Sequence, residues 1–185
     1  GVNGDQANTD SLAAGAVYVF ARTGGSWSQQ AYVKASNTPA RNNTWCNLSY
    51  WATQPCDGQN FGASVALSAD GSLLAVGATG DDSKSTGVNG DANDTLAVFA
   101  GAVHTYARTG STWAPQAYLK ASNTDAHDQF GSSVALSADG STMAVGAVHE
   151  QSKATGVQGD QSDNSGPAYL PGWGYGANYG AVYLY

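Results

Sequence analysis

The chain has 185 residues, 14 of them acidic and 7 basic, for a formal net charge of -7. A surface of that sign without a Lys/Arg cluster repels phosphate backbones, which argues against nucleic acid as a partner, and no apolar run is long enough to cross a bilayer as a helix. Its 24 glycines and an apolar fraction of 42%, arranged in alternation, exclude a helical protein and point to strands.

In chain order, "GVNGD" at 1–5 precedes "GAVYVFARTGGSWSQQAYVKAS". This stretch predicts two strands, 16–21 and 27–34, turning at Thr23-Gly24-Gly25. Val17 and Val19 alternate with Tyr18 and Phe20, as in a strand covered on both faces. The segment 39–60 carries "NNTWCNLSYWATQPC". Cys46 and Cys56 are well separated in this loop and have no nearby His, which opposes a zinc site, and C-x-x-C spacing is absent. A local disulfide that staples the loop is the expected reading, and it implies an oxidising, extracytoplasmic compartment. Asn42 and Asn47 in the same stretch, and Asn93 later, head N-x-[ST] glycosylation sequons.

"FGASVALSADGSLLAVGA" predicts strands 63–68 and 73–78 around Ala69-Asp70-Gly71. The acidic loop "GDDSKSTGVNGDANDT" follows. Its Asn89, Asp91 and Asn93 have the alternate spacing of the first three ligands of a calcium loop, so they are the candidate metal residues. No bidentate Glu follows, and Asx turns bonding their own backbone are the competing reading. Strands at 101–107, 113–121, 132–137 and 142–147 come next. The chain closes with "GPAYLPGWGYGANYGAVYLY", whose last strand is 180–185. Residue 1 already lies inside a repeat, so any targeting segment is expected to have been removed or to lie outside the chain.

The same strands recur. "GVNGD" starts at 1 and again at 87, and "GVQGD" starts at 156. "AYVKASNT" at 31 returns as "AYLKASNT" at 117, and "FGASVALSADG" at 61 returns as "FGSSVALSADG" at 130. The first spacing exceeds the second because of one insertion. All of 39–60 stands between "KASNT" and "FG" in the first copy, and only "DAHDQ", 125–129, in the second. The repeated unit reads as four short antiparallel strands, the pattern of a propeller blade, which must stack on neighbours to bury its faces. Trp27 and Trp113 recur at one repeat position and are expected to pack between blades.

These motifs resemble FG-GAP repeats, the blades of the integrin-α-type β-propeller, in the version found in large secreted microbial proteins. The "FG" is Phe61-Gly62 and Phe130-Gly131; the "GAP" positions read Gly77-Ala78-Thr79 and Gly146-Ala147-Val148, without the proline. The resemblance covers nearly the whole chain and implies an all-β fold of four-stranded antiparallel blades, an incomplete propeller of two to three. Its calcium loop is not carried over, because that place holds only "SADGS" at Ser68–Ser72 and Ser137–Ser141, too few oxygens for calcium.

The expected organisation is the C-terminal half of a first blade at 1–38, an inserted disulfide loop at 39–60, a complete blade at 61–124, and a third blade at 125–185 lacking its last strand. His104, His127 and His149 fall at unrelated repeat positions, and no nucleophile–base constellation occurs, so no enzymatic activity and no cofactor is expected. The expected function is an extracellular or cell-surface structural or adhesive module. It self-associates or continues head-to-tail, in ring or filament, with adjoining repeats or copies of itself. Tyr169, Trp173, Tyr175, Tyr179 and Tyr185 are the candidate contact residues. The alternative is a glycan-binding, lectin-like module that uses the aromatic loop 167–179.

Overall fold

The structure, a computed structural model, describes residues 1–8, 11, 13–38, 58–166 and 179–185. It is all-β. The strands are β1 (Val17–Thr23), β2 (Ser26–Val33), β3 (Phe61–Leu67), β4 (Leu73–Ala78), β5 (Gly87–Val88), β6 (Ala102–Thr109), β7 (Thr112–Lys120), β8 (Phe130–Leu136), β9 (Met143–Ala147) and β10 (Ala181–Leu184). Nine of them are the strands read from the sequence; the short β5 is the addition.

Within the sheets pairing is antiparallel; the three sheets have the order β1-β2, β3-β4-β6-β7-β5 and β10-β9-β8. The repeat is visible in the irregularities. The β1–β2 register shifts between Val19 and Phe20, and the β6–β7 register between Thr105 and Tyr106, at the same repeat position. The β3–β4 and β8–β9 shifts, Phe61/Ser64 and Phe130/Ser133, also coincide. Such repeated kinks re-aim strands and increase twist, so each unit meets its neighbour at the same angle.

Two apolar clusters bind the sheets. Val19, Ala31 and Val33 of the first sheet pack with Phe61, Leu74, Val76, Tyr106 and Trp113 of the second. Ala75, Val103 and Leu119 of the second pack with Phe130, Met143, Val145 and Tyr183 of the third. A phenylalanine of the FG pair stands at each boundary. Its backbone is latched to the preceding unit by an isolated parallel bridge, Gly15 to Phe61 and Gly101 to Phe130. A side chain is impossible there: a Cβ on Gly15 or Gly101 would stand 2.1 Å from the Phe61 or Phe130 oxygen, at φ of +73° or +83°.

The FG segment also receives the insertion. Gln59 Nε2 donates to the Asn37 oxygen at 3.0 Å, and the Gly80 amide donates to the Gln59 oxygen at 3.0 Å. The residues just outside 39–57 are thus fixed to each other and to the second sheet.

Two expectations change in detail. Trp113 is buried and donates from Nε1 to Gln30 Oε1 at 2.8 Å, whereas Trp27 is exposed. Likewise β1 is covered on one face, by Val19, while Tyr18 and Phe20 are exposed. Both have one cause. These side chains face away from the second sheet, and among the described residues no sheet lies on that side.

Candidate functional site

The largest concentration of buried polar groups lies where the first and second units meet. Alternation along "AYLK" sends Tyr118 and Lys120 to one face of β7. The Lys120 ammonium is fully buried and pairs with Asp81 Oδ1 at 3.1 Å. Tyr118 Oη donates to the same oxygen at 2.7 Å. Asn37 Nδ2 donates to Asp81 Oδ2 at 2.9 Å, and the Ser83 amide to Oδ1 at 3.1 Å. Burial alone pushes the Asp81 carboxyl up. Lys120, then Tyr118, Asn37 and the Ser83 amide overcome it and hold the group below the ordinary carboxylate range. His104 edges onto Tyr118, ring centroids 5.1 Å apart, and burial lowers its pKa to about 4, so it stays neutral at physiological pH.

A pocket of about 210 Å³ opens beside this centre, lined among others by Asn37, Gln59, Asp81, Asp82 and Asp94. That is below the usual volume of small-molecule sites. Its acidic lining does not converge on a point: among the described residues no group of three or more His, Cys, Asp or Glu side chains is arranged to hold a metal.

Two of the metal candidates, Asn89 and Asp91, accept hydrogen bonds from backbone amides. Asn89 Oδ1 accepts the Tyr118 amide at 3.0 Å, so this residue ties the loop to the outer edge of β7. Asp91 Oδ1 accepts the Asn93 amide at 2.9 Å, and Asp94 Oδ1 the Leu96 amide at 2.9 Å. The third unit repeats these turns: Asp160 Oδ1 accepts the Ser162 amide and Asp163 Oδ1 the Ser165 amide, both at 2.9 Å. This is Asx-turn chemistry. The "SADGS" turns behave alike. Asp70 and Asp139 are held near pKa 2 by Ser68 and Ser72, and by Ser137 and Ser141.

Asn93 is exposed, as an acceptor for glycan must be. Cys46, Cys56, Asn42, Asn47, Tyr169, Trp173 and Tyr175 lie outside the described residues. Tyr179 is exposed. The Tyr185 side chain is used within the chain: Oη donates to the Lys120 oxygen at 2.6 Å and the ring packs against Phe130. Sequence reasoning missed the Asp81–Tyr118–Lys120 centre. The available signal was a lysine in strand register with a tyrosine at both 32/34 and 118/120, on a face that otherwise reads as core.

The third unit rebuilds most of this centre. Glu150 occupies the repeat position of Asp81, and Asn123 that of Asn37. Asn123 Nδ2 donates to Glu150 Oε1 at 3.0 Å and to the Gln161 oxygen at 2.9 Å; Asn37 Nδ2 donates likewise to Asp81 and, at 2.7 Å, to the Ala92 oxygen. Asp128 replaces Gln59. It is 1% exposed and its Oδ1 has no hydrogen-bond partner. Burial pushes its pKa up to about 7; the charges of Asp125 and Glu150 add to the rise, and the Asp125 amide and Lys120 oppose it.

Residues 113–170 match the model of the FG-GAP repeat family. The match begins in β7 and runs through β8 and β9, so the chain carries an FG-GAP repeat, as its motifs led one to expect. FG-GAP repeats form a structural, non-enzymatic family typical of extracellular and cell-surface proteins. Among the described residues no helix is long and apolar enough to cross a membrane. A search of curated proteins finds no match to the chain.

Proposed function

We propose that this FG-GAP chain is a non-catalytic extracellular module with a structural or adhesive role, joined head-to-tail to adjoining repeats or to other copies of itself. In this reading residues 1–38 are half a blade, 39–60 an inserted loop, 61–124 a complete blade, and 125–185 a blade awaiting its last strand.

The observation that carries it is a contrast in exposure at equivalent positions. Tyr18, Phe20 and Trp27 are 49%, 52% and 68% exposed, while their repeats His104, Tyr106 and Trp113 are 3%, 1% and 4% exposed. At the other end Val182 and Leu184 are 70% and 73% exposed, against 0% and 6% for Val103 and Thr105. Side chains that form the core in the middle of the array lie on the surface at its ends, where they suit a further sheet of the same kind. The outer edge of β10 is unpaired among the described residues, and such an edge is a template for another strand. Because β1 and β10 are equivalent third strands, "GAVYVF" and "GAVYLY", the strand that would pair with the outer edge of β10 in this reading is a fourth strand, from an adjoining repeat or another copy.

Sedimentation velocity over a concentration series tests the reading. The chain is expected to associate, and Phe20→Lys or Leu184→Lys to weaken association. A chain that stays monomeric with these faces solvent-accessible refutes self-association. A glycan array separates protein contact from sugar binding by loop 167–179, since the proposed module binds no glycan. The extracellular assignment predicts a Cys46–Cys56 disulfide in a non-reducing peptide map and added mass on Asn42, Asn47 or Asn93. Two free thiols and an unmodified native mass oppose it.

A further inference from the structure

In the second unit β7 is held in a slot. On one side it pairs with β6; on the other, Gly87 and Val88 pair with Lys120 and Leu119, and the Asn89 amide donates to the Tyr118 oxygen at 2.7 Å. From the floor of the slot Asp81 receives Tyr118 and Lys120.

The third unit has every wall of this slot. β10 takes the place of β6, paired to β9 with Tyr183 opposite Val145, as His104 stands opposite Val76. Residues 156–158 take the place of 87–89 with nearly the same backbone: φ is +80° at Gly156 and +60° at Gln158, against +70° at Gly87 and +57° at Asn89. The loop behind them is tied alike, Ser152 Oγ donating to the Asp160 oxygen at 2.9 Å and Ser83 Oγ to the Asp91 oxygen at 2.7 Å. The floor holds two buried carboxylates, Glu150 and Asp128, and Asp128 Oδ1 is unpartnered. Among the described residues no strand pairs with the outer edge of β10 and no lysine or arginine forms an ion pair with Glu150 or Asp128.

We propose that the slot between β10 and residues 156–158 binds an extended strand carrying Tyr-x-Lys, whose lysine pairs with Glu150 beside Asp128 and whose tyrosine hydroxyl donates to Glu150. This rests on the reading of the chain as a module completed by a fourth strand, and it names what that strand must carry. Charge complementarity selects the occupant. Two buried carboxylates without an ion-pair partner disfavour an apolar or acidic strand, and a cation on the same strand face as a hydrogen-bond donor satisfies both groups. Tyr-x-Lys places both side chains on one strand face. The pairing is strand addition, with main-chain bonds to β10 for affinity and the buried ion pair for choice of partner. The segment 26–36, "SWSQQAYVKAS", has the required pattern, and Lys34 has no carboxylate partner among the described residues.

The probe is a synthetic, fluorophore-labelled 26–36 peptide titrated into the whole chain. Saturable binding is expected, with slowed hydrogen exchange at the amides of 181–184. The Lys34→Glu peptide should bind at least about tenfold more weakly. In the Glu150→Lys chain the preference should invert, the Glu peptide binding better than the Lys peptide. If that chain loses its β-sheet circular dichroism, Glu150→Gln serves instead: it keeps a group that can meet Asn123 and should bring the two peptides within about threefold of each other. Equal binding of both peptides to the parent chain overturns the ion pair and leaves strand completion standing. Binding of neither peptide overturns the slot; if the chain also fails to self-associate, the reading beneath it falls as well. Binding without protection at 181–184 places the peptide elsewhere and likewise overturns the proposal.

Discussion

Replacing Lys120 by Met keeps most of the side chain's volume and removes its charge, leaving Asp81 as an uncompensated buried carboxylate. Asp81 retains three donors, Tyr118, Asn37 and the Ser83 amide, so it does not lose all solvation. Breaking a buried pair from one side nevertheless costs about 3–5 kcal/mol. That is a large share of the roughly 5–15 kcal/mol that holds a domain together. For a chain of this length it corresponds to a fall of about 10 °C in Tm. Removing both charges, Asp81→Asn with Lys120→Met, should recover most of the loss and bring stability to within about 1 kcal/mol of the parent, because the penalty comes from the stranded charge rather than from the missing attraction. Urea titration followed by tryptophan fluorescence reads the effect, with an unchanged m-value as the check that the unfolded reference has not moved. The reasoning is refuted if the single substitution costs less than about 1 kcal/mol, or if the double variant is no more stable than the single one.

Asp128 should make the chain's stability depend on pH. Its folded pKa, near 7, lies above the unfolded value, so the native state binds more protons between the two and its stability falls as pH rises from about 4 to 7. Asp128→Asn should therefore stabilise the chain at pH 7.5 by about 2–4 kcal/mol and flatten the slope across that window. Denaturant melts at pH 4.5 and 7.5 decide it, and an equal or larger loss at the higher pH in the variant sinks it. Gly101→Ala should cost more than about 3 kcal/mol, because its Cβ meets the Phe130 oxygen at φ +83°. Gly110→Ala, at φ +62° with open space around it, should cost about 1 kcal/mol. Similar losses at the two positions would mean that the glycine–phenylalanine bridge does not join the units.

The strands were legible because each announces itself locally. Asp-Gly and Gly-Gly mark the turns, apolar residues alternate, and three copies of one pattern correct one another. The same locality explains what stayed hidden. Asp81 and Lys120 are distant in sequence, and nothing near "GDD" indicates that its first carboxylate turns inward to a lysine on another strand. The acidic loop admits both a metal site and a run of Asx turns, since both use aspartate and asparagine at alternate positions. The hydrogen bonds to the Asn93 and Leu96 amides show that Asp91 and Asp94 form such turns. Trp27 and Trp113 occupy the same repeat position and have opposite exposure. What differs is whether a neighbouring sheet stands on that side among the described residues, which a repeat position cannot reveal by itself.

The fastening of Gln59 to Asn37 has a consequence for how the chain can change. Asn37 and Gln59 are held at a fixed separation, whatever the sequence between them contains. Between the same flanking motifs, KASNT and FG, the second unit has 125–129 alone, where the first has all of 39–60. Lengthening a loop by that ratio costs only about 1.3 kcal/mol in closure entropy. Insertion and deletion at this point are therefore nearly neutral for the array, and a foreign peptide epitope grafted between Thr38 and Gly58 would be displayed on a frame that does not have to rearrange to accommodate it.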